Sequence, residues 1–421
     1  MTQHNGAIRI HAVNIPPKIF LSLALSIVPL FNAEAALGKL GAMGDSLTDE
    51  YWDSGVATYA SNWVSQLVVF RGMDFGPTAA QAGVGTWGEP RLLGYKFNWA
   101  RSGANSSTLL AQGQHTGCAG QYLSEGVSHA VLAIGANDFN PFVIPSGAYF
   151  SIYYNAWSAS QIQTYVKQSV SNIETALVTV RNAGVSVALA NVIDPGLTPS
   201  AVAAYASASS RDRVTAAIQS LNNGVKNLAQ KYQVPLMDWY GMAGAVLGPN
   251  TNLHPTLKVG NVTINLRGTD SGSTPTNAFV SDGFHPNTVM QGMFANVILQ
   301  TFASGYGANT ALFSEQEILN HASMAYGGSD TLPSQLGAWT NYIFLPVLPK
   351  FTSITLTGTN VTLKFSTVSN QLYVVERRDD LAAGSWTMVT SNFPGNGALV
   401  TLTNIVPPNL SKRFYRVRQL P

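Results

Sequence analysis

The sequence predicts an α/β domain built on a parallel sheet, followed by a small all-β module. Three observations predict this. From about residue 38 to 325, short apolar runs alternate with long helical patterns. Those runs are too apolar for half-exposed strands, so both faces of their sheet are covered. After about residue 346 the period shortens to strict alternation, broken by turn residues, which is the pattern of an antiparallel sandwich.

Taken in order, Lys39 to Met43 reads as the first strand and Tyr59 to Phe70 as a helix. Ala130 to Ile134 is an apolar strand. Ile162, Val166, Val170, Ile173, Leu177 and Val180 recur at helical spacing, with Gly184 where a C-terminal cap belongs. Val185 to Val192 is a strand, Val214 to Leu228 a helix, Val234 to Met237 a strand, and Val289 to Phe302 a late helix. In the module, strands are expected at Ser353–Leu356, Val361–Phe365, Leu372–Glu376, Trp386–Thr390, Leu399–Leu402 and Phe414–Val417. Gly358-Thr359-Asn360 and Gly395-Asn396-Gly397 supply turns. The Gly- and Pro-containing stretch 327–345 is expected to be a linker. The organisation expected is therefore 1–35 leader, 36–326 α/β domain, 327–345 linker and 346–421 sandwich module.

The leader has its own pattern. Arg9 and Lys18 precede an apolar run of 13 residues, Ile19 to Phe31, and Ala33-Glu34-Ala35 follows as a small-x-small cleavage site. A spanning helix needs roughly 20 residues, so an export signal is expected and a membrane span is not. A secreted or periplasmic location follows as an expectation.

Composition excludes several classes. The 421 residues are 46% hydrophobic and only 10% charged, with a formal net charge of +2. Disordered chains are charge-rich and apolar-poor. No basic block exists to hold nucleic acid. The single cysteine, Cys118, permits no intramolecular disulfide framework. His115, His129, His254 and His321 lack the spacing of a metal motif, so no metal and no cofactor are expected.

Four short motifs carry chemistry. Gly44-Asp45-Ser46-Leu47 follows the first strand, placing a serine hydroxyl at the carboxyl edge of the sheet, where ligands of such sheets bind. Asp282-Gly283-Phe284-His285 can supply a base for that serine and a carboxylate to orient the imidazole. Asp194 and Asp238, at strand ends, are the lower-ranked alternatives for the orienting role. Gly135-Ala136-Asn137-Asp138 ends another strand and offers an amide donor. Ser102-Gly103-Ala104-Asn105 offers a backbone N–H with no Cβ in the way. With the Ser46 N–H, Gly103 and Asn137 make three donors for a developing oxyanion. Asp45 and Asp138 are expected to brace turns.

These motifs, in this order, resemble the GDSL or SGNH hydrolase family: G-D-S-L at 44–47, the glycine of N-W-A-R-S-G at 98–103, G-A-N-D at 135–138 and D-G-F-H at 282–285. The resemblance covers about 38 to 310. It implies a three-layer α/β/α sandwich with a flavodoxin-like sheet and an ester-hydrolysing activity. Carried over, Ser46 is nucleophile and oxyanion donor, Gly103 and Asn137 complete the oxyanion hole, His285 is the base and Asp282 its orienter. Two insertions depart from compact members: the Gly- and Trp-rich stretch between Ser46 and Gly103, and the polar segment 247–280. The C-terminal module lies outside the resemblance.

The function expected is a secreted serine esterase acting on an acyl lipid or an acylated carbohydrate. The other class is a non-catalytic surface-binding or attachment protein that keeps the scaffold; a full set of nucleophile, base and donors argues against it. The module is open to either class, as a contact to a polymer or surface. Seven aromatics lie between Phe139 and Trp157, just after Asn137. Of these, Phe139 and Phe142 are expected to line the substrate pocket, while Tyr153, Tyr154 and Trp157 include core residues.

Overall fold

A computed structural model describes residues 8–11 and 37–420, apart from 370, 382–384, 409 and 411. The chain divides into two compact units. One comprises Asn32–Ala229 with Val234–Leu345; the other comprises Pro346–Pro421 with Gln230–Gln233 and the strand Ile8–His11.

The first unit is the α/β domain. Its central sheet runs Lys39–Gly44, Val127–Ala133, Ser186–Ala190, Leu236–Met237 and Ile343–Phe344. The first four strands are parallel and the last is antiparallel. On the outer side of Lys39–Gly44, the place of a further edge strand is taken by a single parallel bridge, Ala42 to Asn98. That gives the flavodoxin-like order with one edge strand reduced to a bridge.

Helices cover the sheet. Ala159–Ala183 begins at Ser158, whose side chain and that of Gln161 form a capping box, and ends at Gly184. Its buried face carries Val166, Ile173, Leu177 and Val180. Ala208–Tyr232 and Thr288–Tyr306 are the other long helices. Thr288–Tyr306 is buried over most of its surface, as a helix enclosed in a core must be. The core gathers Trp63, Trp239, Phe279, Phe294 and Phe302 around the sheet. Each large side chain so buried contributes about 1.5–3 kcal/mol.

Two expectations are corrected, and one insertion gains its structure. The helix expected from Tyr59 starts at Trp63, because Asn62 caps it by accepting from Ser65 N–H. The expected linker 327–345 is folded: Leu332, Leu336 and Tyr342 are buried in the core, and Ile343–Phe344 pairs with Leu236–Met237. Glycines and prolines disguised that packing. The polar insertion 247–280 is a three-stranded sheet, Thr256–Val259, Val262–Asp270 and Asn277–Val280, with Leu257, Val259, Ile264 and Leu266 facing the core.

The second unit is a β-sandwich. One sheet has the order Ile8–His11, Lys412–Leu420, Leu372–Arg378, Thr387–Pro394; the other has Phe351–Thr357, Asn360–Ser366, Leu399–Ile405. Alternate residues supply its core: Val361, Leu363 and Phe365 from one sheet, Tyr373, Val375, Tyr415 and Val417 from the other. Of the expected leader, Ile8–His11 forms a strand antiparallel to Lys412–Leu420. Lys18, the apolar run and the Ala33-Glu34-Ala35 site lie outside the described residues.

Candidate active site

The strand Lys39–Gly44 ends at a glycine because the neighbouring strand leaves no room. A Cβ on Gly44 would come 2.4 Å from the Ala133 carbonyl oxygen. The buried Gln114 side chain accepts from Gly44 N–H and donates to Gly44 C=O, completing both backbone groups of that residue. The chain then turns. Asp45 C=O accepts from Thr48 N–H and Asp49 N–H, and Asp45 Oδ1 accepts from Leu47 N–H. Asn62 and Asn98 both donate to the Thr48 carbonyl. Ser46, only 5% exposed, is thus held in a turn of fixed shape.

Ser46 Oγ lies 2.7 Å from His285 Nε2, and His285 Nδ1 lies 2.5 Å from Asp282 Oδ2. Asp282 Oδ1 accepts from the backbone N–H groups of Phe284 and His285, at 2.7 and 2.9 Å. The Asp282 carboxylate therefore folds back on its own turn, with Gly283 at a φ of 66° making that turn possible. Burial raises the Asp282 pKa, but the hydrogen bond and charge of His285 and the two N–H donors outweigh it. The net effect holds Asp282 below its ordinary value.

The insertion sheet carries this turn. Val280 N–H donates to His285 C=O, and Asn287 N–H to Ala278 C=O. From the other side, Ser200 donates its N–H and its hydroxyl to Gly283 C=O. Tyr51 lies edge-on to the His285 ring, with centroids 6.1 Å apart; its hydroxyl donates to Pro286 C=O and accepts from Gln291.

The donor loops converge on the same edge. Arg101 N–H donates to Gly44 C=O, so Ser102-Gly103 follows directly beside the end of the strand Lys39–Gly44. Gly103 has a φ of 80° and open space where a Cβ would stand. Asn137 lines the same cavity as Ser46. Its amide is fixed at both ends: Nδ2 donates to Ala104 C=O, and Oδ1 accepts from Asn140, each at 3.0 Å. The second N–H of Asn137 stays available to a ligand. Asp138 ties the two loops together, accepting from Ser106 N–H, the Ser106 hydroxyl and the Ser169 hydroxyl.

The remaining sequence candidates take other parts, Asp45 alone among them lining the cavity with Ser46. Asp194 accepts from Gly196 N–H and the Thr215 hydroxyl, and Asp238 caps Trp239–Leu247, so both are spent on their own turns. Asp45 and Asp138 brace turns, and burial pushes Asp45 up to about 6. Phe139 is corrected: it is fully buried against Tyr165 and does not line the cavity, because the 3₁₀ turn Ala136–Phe139 points it into the core. Phe142 does not line it either. It is 46% exposed and packs edge-on against Phe284, which does. His129 and His254 bond local groups, and His321 stacks on Phe70. Cys118 is buried, its thiol pushed up to about 12 by burial.

Sequence reasoning missed Tyr51, Gln114 and a row of acids. Asp49 accepts from Ser102 N–H, Glu50 from Tyr95 N–H, and Asp53 from Leu93 and Gly94 N–H. The Asp49-Glu50…Asp53 run thereby sews the returning leg of the 51–100 insertion onto the helical turn after Ser46. Burial raises Asp49 to about 7 and Glu50 to about 8. The visible signal was three acids in five positions, in a chain with so few.

The model of the GDSL-like lipase/acylhydrolase family matches residues 40–298. The chain belongs to that family. Similar solved structures include TesA, 16% identical over 63% of this chain and 99% of that one, with a TM-score of 0.35. A variant of Axe2, an acetyl xylan esterase from Geobacillus stearothermophilus, is 14% identical over 66% of this chain and 98% of that one, with a TM-score of 0.36. The psychrotrophic esterase EstA from Pseudoalteromonas sp. is 12% identical over 64% and 98%, with a TM-score of 0.33. No curated protein sequence matches the chain. As a member of the GDSL family the chain is an ester-hydrolysing serine hydrolase with the three-layer α/β/α fold, carrying a β-sandwich besides. Among the described residues, no helix is long and apolar enough to cross a membrane.

Proposed function

We propose that the protein hydrolyses carboxylic esters through an acyl-enzyme on Ser46, with His285 as base and Asp282 as its orienter. The observation that carries this reading is the unbroken hydrogen-bonded chain from Asp282 Oδ2 through both His285 nitrogens to Ser46 Oγ. Asp282 accepts the Nδ1 proton, which leaves Nε2 unprotonated and facing the serine. As Ser46 Oγ attacks the ester carbon, its proton passes to Nε2. The imidazolium is stabilised by the ionised Asp282. The carbonyl oxygen becomes an oxyanion, met by the N–H groups of Ser46 and Gly103 and the free amide N–H of Asn137. Collapse breaks the bond to the alcohol, and the alkoxide takes the proton from Nε2. Water repeats the sequence on the acyl-serine.

The substrate is an acyl lipid or an acylated carbohydrate, and the protein acts outside the cytoplasm after its leader, with the edge strand Ile8–His11, is cut behind Ala35. Support for export is the charged start, apolar run and small-x-small site of the sequence. An organophosphonate that labels serine hydrolases tests the mechanism. Mass spectrometry should find the label on Ser46, and Ser46→Ala should neither be labelled nor hydrolyse p-nitrophenyl acetate. Label on another serine, or an active Ser46→Ala protein, would sink the reading. N-terminal sequencing of protein from the culture medium or periplasm should begin at Ala36.

A further inference from the structure

We infer that Asp49 is a positioning residue of the reaction: its carboxylate sets the distance between two oxyanion donors, the N–H groups of Ser46 and Gly103. The inference rests on Ser46 being the nucleophile and goes beyond that reading by naming a residue that acts through the donors. The two donors belong to segments far apart in the chain, so no local rule fixes the gap between them. An oxyanion needs both within about 2.7–3.1 Å of one oxygen. The segments must therefore be held in register. Nearest the donors, two contacts do this. Arg101 N–H donates to Gly44 C=O at 3.1 Å, just before the backbone enters Ser46. Asp49 Oδ2 accepts from Ser102 N–H at 2.7 Å. The first joins backbone to backbone. The second depends on one carboxylate.

Asp49 is fixed to the Ser46 side. Its N–H donates to Asp45 C=O at 2.9 Å, closing the helical turn that contains Ser46, and its own C=O accepts from Asn62 at 2.9 Å. The residue is buried, with 3% exposure. On the Gly103 side, the peptide between Arg101 and Ser102 is held at both ends. Its N–H goes to Asp49, and its C=O accepts from Ala104 N–H at 3.0 Å. Only φ and ψ of Ser102 then separate this anchored peptide from the next one, whose N–H is the Gly103 donor. Gly103 stands at a φ of 80°, which suits the third position of such a turn. Releasing the Asp49 bond frees the plane on which that donor hinges.

Charge is secondary in this arrangement. Arg101 Nη1 lies 3.7 Å from Asp49 Oδ2, beyond hydrogen-bond reach, while Arg101 Nε faces Glu89 at 3.1 Å. The neighbouring acids hold other parts of the insertion: Glu50 accepts from Tyr95 N–H, and Asp53 from Leu93 and Gly94 N–H. Of the three, Asp49 is the one that reaches the turn carrying Gly103.

The test is steady-state kinetics of full-chain variants on p-nitrophenyl acetate, with an organophosphonate counting active sites. Charge on the carbonyl oxygen grows toward the transition state, so a misplaced donor acts on kcat more than on KM. A displacement of about 1 Å can cost about 100-fold. Asp49→Ala should lower kcat about 10–100-fold, with KM little changed and label still reaching one site per chain. Asp49→Asn leaves an acceptor oxygen in place and should recover most of that loss. Asp49→Glu keeps the charge but moves the oxygen by one methylene, and should lose kcat again. Thermal unfolding reports whether each variant folds, and the contrast between Asp49→Asn and Asp49→Glu carries the test if Asp49→Ala does not. Asp53 fastens the same insertion without reaching Ser102, so Asp53→Asn should keep wild-type kcat. A folded Asp49→Ala at full rate overturns the inference. So does a fast Asp49→Glu beside a slow Asp49→Asn, which would make charge the role of Asp49. Equal losses of kcat in Asp49→Ala and Asp53→Asn would assign the effect to packing of the insertion and overturn it too. All three results leave the triad intact, whereas hydrolysis by Ser46→Ala overturns the triad, and this inference with it.

Discussion

Asp49 and Glu50 in the hydrolase unit and Glu376 and Asp379 in the sandwich are shifted in opposite directions. In the hydrolase unit, Asp49 and Glu50 sit beneath the 51–100 insertion and accept backbone N–H groups; burial dominates, and both are raised far above an ordinary carboxylate. In the sandwich, Glu376 accepts from Arg418 and Arg416, at 2.8 and 2.7 Å to their Nε atoms, and Asp379 from Arg413 at 2.6 Å. The hydrogen bonds of these guanidinium groups hold both acids below their ordinary values. The lesson is that a carboxylate rises where burial outweighs its partners and falls where guanidinium groups outweigh burial, and the two cases respond to pH with opposite sign. The units differ in the same way in what converges. Polar side chains from distant segments meet at Ser46, whereas the sandwich core is apolar side chains at alternate positions.

The largest effect that separates the units is catalytic. His285→Ala should lower kcat on the order of 10⁶-fold, as loss of a triad base does elsewhere, with Asp282→Asn costing less. Unfolding of both units should stay where it is. A shifted sandwich transition in His285→Ala would break the separation.

The converse change is Phe365→Ala. Removing a fully buried phenylalanine costs about 3–5 kcal/mol, here within the sandwich core. Calorimetry should show the sandwich transition lowered, with kcat/KM on a small soluble ester unchanged. Lost activity in a protein whose hydrolase unit remains folded would show that the sandwich shapes the site.

Asn137→Ala sharpens the site side of the comparison. Loss of one oxyanion donor costs roughly 10²–10³ in kcat, so kcat should fall while KM moves little. A change confined to KM would make Asn137 a substrate-positioning residue.

The smallest effect is on pH. A carboxyl whose folded pKa is raised binds its proton more tightly folded than unfolded. Its stabilisation is present below the ordinary carboxylate range and is lost as pH climbs through the folded value, about 7 for Asp49 and about 8 for Glu50. The Tm of the hydrolase unit should fall from about pH 4 to about pH 8, and Glu50→Gln should flatten that fall. Glu376 and Asp379, lowered on folding, stabilise the sandwich above the ordinary carboxylate range and lose that contribution in acid. Parallel pH profiles for the two transitions would refute the comparison.

Much of this is legible in the sequence. The strand Lys39–Gly44, the helix Ala159–Ala183 with its cap at Gly184, and the alternating sandwich strands all announce themselves locally, because each period reports which face is buried. The Asp282–His285 pair was readable for the same reason, since three residues suffice to fold that carboxylate onto its imidazole. Burial of Phe139 and exposure of Phe142 were not readable. Both are aromatic and adjacent to Asn137, and only the direction of the 3₁₀ turn separates them.

The period of each element, the order of the four motifs and the three-residue spacing of Asp282 and His285 are local properties written in the chain. Packing of 327–345 into the core, support of the site by Tyr51 and Gln114, and the meeting of Leu47, Ile193 and Phe284 beside Ser46 come from long-range folding. The physical reason is range. Periodicity and turn chemistry act over a few residues and are written in them. A cavity is the gap left between side chains as distant as Leu47, Ile193 and Phe284, and its volume belongs to their packing.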